Sequence, residues 1–244
     1  MFRETLNCRG RFDAHRYRAC LPHPHRRFFF VLFTFLRFSL NLFPLDRPLI
    51  VGLVYGAVFG DIPTCMNIAI FFELFWLDLF PAGTFIPPNQ AAATLATLTL
   101  ARCFGLTEAP GVLAAVVMSL PLALIFARLE AFHRRFETSA LAKAADAAAR
   151  KGLVLSPGRL ILRSLTDMAL IGGVLYALAL AGLLAAGNLL FAMIGPLLEH
   201  QSKSFAHLWI LGSLGGVLSL RHRPAYAVLS VGVGLSILWF LVLT

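Results

Sequence analysis

DRPLIVGLVYGAVFGDIPTCMNIAIFFELFWLDLFPAGTFIPPNQ, residues 46–90, is the stretch that decides the fold. It is apolar enough to lie in a bilayer, yet it carries Asp46, Arg47, Asp61, Glu73 and Asp78. Pro48, Pro63, Pro81, Pro87 and Pro88 interrupt it. A charge in hydrocarbon costs about 2.5–3.5 kcal/mol even on the mild insertion scales. Proline-broken backbone at membrane depth is tolerated only where it is buried in protein or borders a watery cavity. The segment therefore reads as the wall of a polar pathway rather than as ordinary spanning helix.

The rest of the chain sets the class. Hydrophobic residues make up 59% and charged residues 14%, with a mean hydropathy of +0.79. Long apolar tracts recur, so the expectation is an all-α integral membrane protein, a multi-span helical bundle with broken or re-entrant helices around 46–90. The net charge of +9 does not signal nucleic-acid binding. The bases collect in three clusters, the pattern that marks the cytoplasmic side of a membrane protein. Cys8, Cys20, Cys65 and Cys103 have no CxxC or Cys/His spacing, so isolated reduced thiols are expected rather than a metal site or disulfide framework.

Two short apolar segments lie inside the deciding stretch. Leu49–Gly60 rises only about 18 Å as helix, too little to cross a core of about 30 Å. Its Gly52, Gly56 and Gly60 fall on one stripe, where a second helix backbone can approach closely. Asp61 and Pro63 are expected to end it. The second segment, Met66–Phe80, stops at Pro81. Glu73 and Asp78 lie about 140° apart around a helix, so they do not form a paired-carboxylate acid/base site. Met66–Gln90 as a whole reads as a re-entrant hairpin or broken helix, the kind of discontinuity at which transporters bind substrate.

Outside that stretch the chain divides simply. Residues 1–27 hold seven Arg and three His without periodicity: a basic tail, or sequence upstream of the true start, ahead of a single transmembrane domain at 28–244. Phe28–Leu45 is a first span. Ala91–Phe104 is small and mildly polar, its Thr94, Thr97 and Thr99 expected to bond their own backbone or pack on a neighbour. Gly105–Pro110 is a turn, and Gly111–Ala127 a span kinked near Pro121. Residues 128–163, with eight Lys/Arg, form a cytoplasmic interval, helical over Glu137–Arg150 and stopped at Lys151-Gly152. Leu165–Ile194 crosses again, and Phe205–Leu220 returns with a second packing stripe at Gly212 and Gly216. A last span, Ala225–Thr244, places the C-terminus outside. No P-loop, HExxH or GxSxG motif is present, and each His stands singly. The sequence offers no catalytic residue, no metal ligands and no cofactor motif.

DRPL at 46–49, GxxxGxxxGD at 52–61, Glu73 in its apolar run, PAGTFIPPN at 81–89 and ALAKAADAAARKG at 140–152 occur in that order. Together they resemble enzyme IIC of the mannose/fructose/sorbose family of sugar phosphotransferase systems, over roughly 45–195 well and 205–244 loosely. The resemblance implies a multi-pass subunit of the bacterial inner membrane that carries a hexose-type sugar inward. It further implies an enzyme IID membrane partner, cytoplasmic IIA and IIB subunits that phosphorylate the sugar, and assembly as an oligomer. It assigns sugar contacts to Glu73 and to the irregular segment Gly83–Asn89. The candidate substrate-binding residues are accordingly Glu73, Gly83, Thr84, Asn89, Gln90 and Asp61. Asn89 stands where the family commonly has an acid, which keeps a hydrogen-bond acceptor but removes the charge.

Two other classes stay open at this point: a non-transporting assembly subunit, and a membrane-embedded enzyme using Glu73 or Asp61 as base. Glu73 itself has two accounts, a polar partner such as Arg47 or Arg37, or a watery cavity that holds sugar.

Overall fold

The computed structural model describes residues 47–77, 86–151, 157–198 and 204–219. Every regular element among them is a helix: α1 (Pro48–Phe59), α2 (Ile62–Phe75), α3 (Gln90–Phe104), α4 (Ala109–Lys151), α5 (Pro157–Leu198) and α6 (Phe205–Ser219). The expected tail, first span and last span lie outside the described residues.

α1 and α2 form a tight hairpin. Gly60 turns it, with φ 77° and its N–H donating to the Gly56 carbonyl at 2.8 Å. That left-handed conformation suits glycine and strains other residues. Of the three glycines on the expected stripe, two therefore pack and the third turns the chain. A Cβ on Gly52 would lie 2.5 Å from Ala69 Cβ, and one on Gly56 2.9 Å from Ile62 Cα. Asp61 and Pro63 begin the next helix as well as ending the first. The Asp61 carboxylate accepts from Thr64 N at 3.3 Å, and Pro63 occupies a first-turn position where no intrahelical N–H is needed.

α6 covers the other side of α2. Added Cβ atoms on Gly212 and Gly216 would come within 2.9 Å of the Phe71 carbonyl and 2.5 Å of the Leu74 carbonyl. Trp209 Nε1 donates to the Asn67 carbonyl at 3.2 Å. The helix that carries Phe71, Phe72, Glu73 and Phe75 is thus held between two glycine stripes, which is close approach by van der Waals contact.

α3 is the core. Thirteen of its fifteen residues are buried, in contact with α1, α2, α4 and α5. Alanine and threonine let four neighbours approach, and the hydroxyls bond locally: Thr94 and Thr97 donate to the carbonyls of Gln90 and Ala93 at 2.9 and 3.0 Å. Thr97 also meets Ser119 of α4. The hydroxyls themselves would be costly to bury without these acceptors.

α4 and α5 are far longer than the rest, at 43 and 42 residues, or about 64 Å each at the α-helical rise. Each contains an apolar window long enough to cross a membrane. Val117, Leu124, Ile125, Leu170, Val174, Leu178, Leu189 and Met193 lie exposed along them. Helix α4 continues without interruption past Pro121 and through the polar interval to Lys151, and α5 already begins at Pro157. Most of the expected loop at 128–163 is therefore helix, because its alanines and long charged side chains favour helix as strongly as the membrane part does.

Candidate functional site

The helix directions sort the candidate residues into two ends of one package. Arg102, in the last turn of α3, donates to the Phe59 carbonyl at 3.0 Å and stacks 4.7 Å over the Phe59 ring. The end of α3 therefore lies beside the α1–α2 turn. α4 then runs antiparallel to α3, since Asn89 N donates to the Ala123 carbonyl at 3.0 Å while Thr97 meets Ser119. Glu73, Asn89 and Gln90 consequently share one end, and Asp61 lies at the other, about 18 Å from Glu73 along α2.

At the first end, Arg47 donates through Nη1 to Glu73 Oε1 at 3.2 Å. Leu49 N approaches Glu73 Oε2 at 3.5 Å, so the carboxylate also faces the open first turn of α1. The two side chains are 18% and 19% exposed. The carboxylate thus sits against a cation and the open first turn of a helix, both of which attract anions. Of the two accounts the sequence left for Glu73, the polar partner is present, and it is Arg47.

Asn89 caps α3: its Oδ1 accepts from Ala92 N at 3.1 Å, and the residue is 5% exposed. Gln90, at 7% exposed, starts the helix. α2 ends at Phe75 and α3 starts at Gln90, so the break sits between two helices of 14 and 15 residues. Gly83 and Thr84 lie outside the described residues, as does Asp78.

Sequence reasoning passed over two features. Glu130 is 2% exposed, with Arg134 Nη2 at 2.6 Å from its Oε1. The signal was its position on the stripe Ser119, Ala123, Phe126, Glu130, all of them buried; the surrounding basic residues concealed it. The second is a cleft between α1, α2 and α3, lined in part by Tyr55, Thr64, Arg102 and Thr107 around Asp61. Cys65 and Cys103 are both buried. Among the described residues no group of His, Cys, Asp and Glu is arranged to hold a metal ion.

A helical package with apolar residues exposed along its two long helices and small-residue contacts between helices has the character of a membrane protein. Residues 27–206 match the family model described as the PTS system sorbose-specific IIC component, and the chain belongs to that family. It is a sugar-transport subunit of a phosphotransferase system. A solved structure titled "Structure of membrane protein" is similar over 91% of this chain and 96% of its own, with 19% identity and a TM-score of 0.58, a likeness of fold. No curated protein matches the chain.

Proposed function

We propose that this chain binds a hexose-type sugar in the bacterial inner membrane and carries it inward as a multi-pass subunit. The sugar is phosphorylated by cytoplasmic IIA and IIB partners, and an enzyme IID subunit completes the membrane complex, which is oligomeric. The observation that carries the reading is the break between α2 and α3. Two helices too short to cross end beside a half-buried carboxylate, a buried asparagine and a buried glutamine. Sugar hydroxyls need such acceptors and donors in a cavity, and interrupted helices supply them at mid-depth. Glu73, Asn89 and Gln90 would line the path with Gly83 and Thr84. The basic interval from Arg128 onward then faces the cytoplasm, and the 105–108 turn faces outward.

The Arg47–Glu73 pair favours a second reading, in which Glu73 fastens α1 to α2 and never meets sugar. Glu73→Gln separates the two, because Gln keeps an acceptor for Arg47 and loses the charge. If Glu73 grips sugar, the variant accumulates and assembles normally but loses uptake, with affinity falling by about 1–3 kcal/mol for one charged hydrogen bond. If it is a fastener, abundance or assembly falls instead. Normal uptake with normal assembly removes Glu73 from the site.

A further inference from the structure

The cleft between α1, α2 and α3 lies at the opposite end from Glu73 and holds about 470 Å³ of empty space, its mouth included. Its rim carries Asp61, Thr64, Arg102 and Thr107, and its floor includes Tyr55 and Leu98. Both floor residues are buried, whereas Arg102 and Thr107 are exposed. The rim therefore holds a carboxylate, a guanidinium and two hydroxyls above an aromatic and aliphatic base.

The two charges are kept apart by their other bonds. The Asp61 carboxylate is turned to Thr64 N, and Arg102 is turned to the Phe59 carbonyl and ring. Among the described residues, Asp61 and Arg102 make no ion pair with each other. Each retains hydrogen-bonding capacity: a carboxylate offers two oxygens and a guanidinium five N–H donors. A carboxylate and a guanidinium facing one cleft without closing on each other suit a neutral ligand that both donates and accepts. A hexose does both through its hydroxyls, and its C–H face can rest on an aromatic floor.

We infer that this cleft is a second, outward-facing sugar subsite, which receives the hexose before it reaches the Glu73 end. The inference rests on the sugar-transport reading and adds to it an entry site on the other face of the bundle. Two built-in features hold the cleft open: the Gly60 turn fixes the α1–α2 end, and Arg102 ties α3 to that turn.

The test uses the full-length chain in intact cells with its partner subunits. Thr107→Cys, in the exposed turn, is labelled with a membrane-impermeant maleimide in the presence or absence of mannose, fructose or sorbose. The expected result is labelling from outside, slowed by the hexose the cells take up. In Asp61→Asn or Arg102→Gln, about tenfold more sugar is needed for the same protection, one hydrogen-bonded contact's worth. Asn at 61 keeps the acceptor for Thr64 N, so helix α2 still starts correctly. The same two changes raise the uptake KM and leave the maximal rate, which separates them from Glu73→Gln. Labelling that is indifferent to a transported hexose, labelling that needs a permeabilised membrane, or unchanged KM in both variants overturns the subsite. Protection by a hexose that the cells do not take up upholds the subsite and overturns the transport reading instead.

Discussion

At each end of the α1–α2 hairpin an acid and a base come together, the base at the turn end being supplied by α3, and the two ends use them differently. At one end Arg47 and Glu73 meet at 3.2 Å. At the other, Asp61 and Arg102 border the same cleft, one capping a helix and the other holding a carbonyl. The closed pair contributes cohesion between helices, and the open pair leaves polar groups facing a cavity. The same residue types thus do unlike work, and the neighbouring backbone decides which. Leu49 N and the first turn of α1 draw Glu73 inward, whereas the Phe59 carbonyl and ring draw Arg102 away from Asp61.

The largest effect should come from moving the two ends apart mechanically. Gly216 touches α2 at the Leu74 carbonyl, next to Glu73, and Gly56 touches it at Ile62, next to Asp61. Either glycine changed to Val forces side-chain carbon into backbone at under 3 Å. Overpacking of that kind costs about 1–3 kcal/mol or more. Gly216→Val should lower the thermal midpoint of the purified protein and disturb the Glu73 end first. Gly56→Val should lower it comparably and disturb the cleft. Wild-type midpoints for both would show that α2 is not held by these contacts.

A middle-sized effect tests whether the closed pair is cohesion alone. Arg47→Gln leaves Glu73 half-buried with a weaker partner, a loss of about 1–3 kcal/mol. The double variant Arg47→Gln, Glu73→Gln restores a neutral amide pair and should recover most of that stability. Uptake is the sharper readout. Recovery of stability without recovery of uptake places Glu73 on the sugar path as well as in the pair. Recovery of both reduces it to a fastener.

Much of this arrangement was legible in the chain. The glycine periodicities at 52/56 and 212/216 foretold two close helix approaches, because spacing by four places residues on one face whatever the surroundings. The local threonine bonds of Thr94 and Thr97 were legible for the same reason, since they depend only on the preceding turn. Asp61 and Pro63 do end α1, and they also begin α2, because Asp as cap and Pro in the first turn start a helix as readily as they interrupt one. What could not be read was contact between distant segments. Arg102 and Phe59 lie 43 residues apart, and no periodicity announces their meeting, so the cleft stayed invisible. Nor could composition show that the small, unremarkable helix 90–104 would be the centre. It is central because alanine and threonine leave room for four neighbours, which is a property of the assembled bundle.

The smallest effect compares the two helix caps, one at each end of the package. Asn89 caps α3 in a buried setting, with Oδ1 at 3.1 Å from Ala92 N. Asp61 caps α2 in a half-buried one, at 3.3 Å from Thr64 N. Loss of a cap costs about 0.5–2 kcal/mol, and the upper part of that range belongs where water cannot replace the lost acceptor. Asn89→Ala should therefore destabilise the protein by about 1–2 kcal/mol and Asp61→Ala by about 0.5–1, read from thermal unfolding in detergent. The order matters more than either value. The Asp61 end opens into the cleft, where solvent can bond the freed Thr64 N–H, while the Asn89 end is sealed against α4 through the Ala123 carbonyl. An Asp61→Ala loss as large as that of Asn89→Ala would mean the cleft end is as dry as the other. A wet outward subsite could not then stand there.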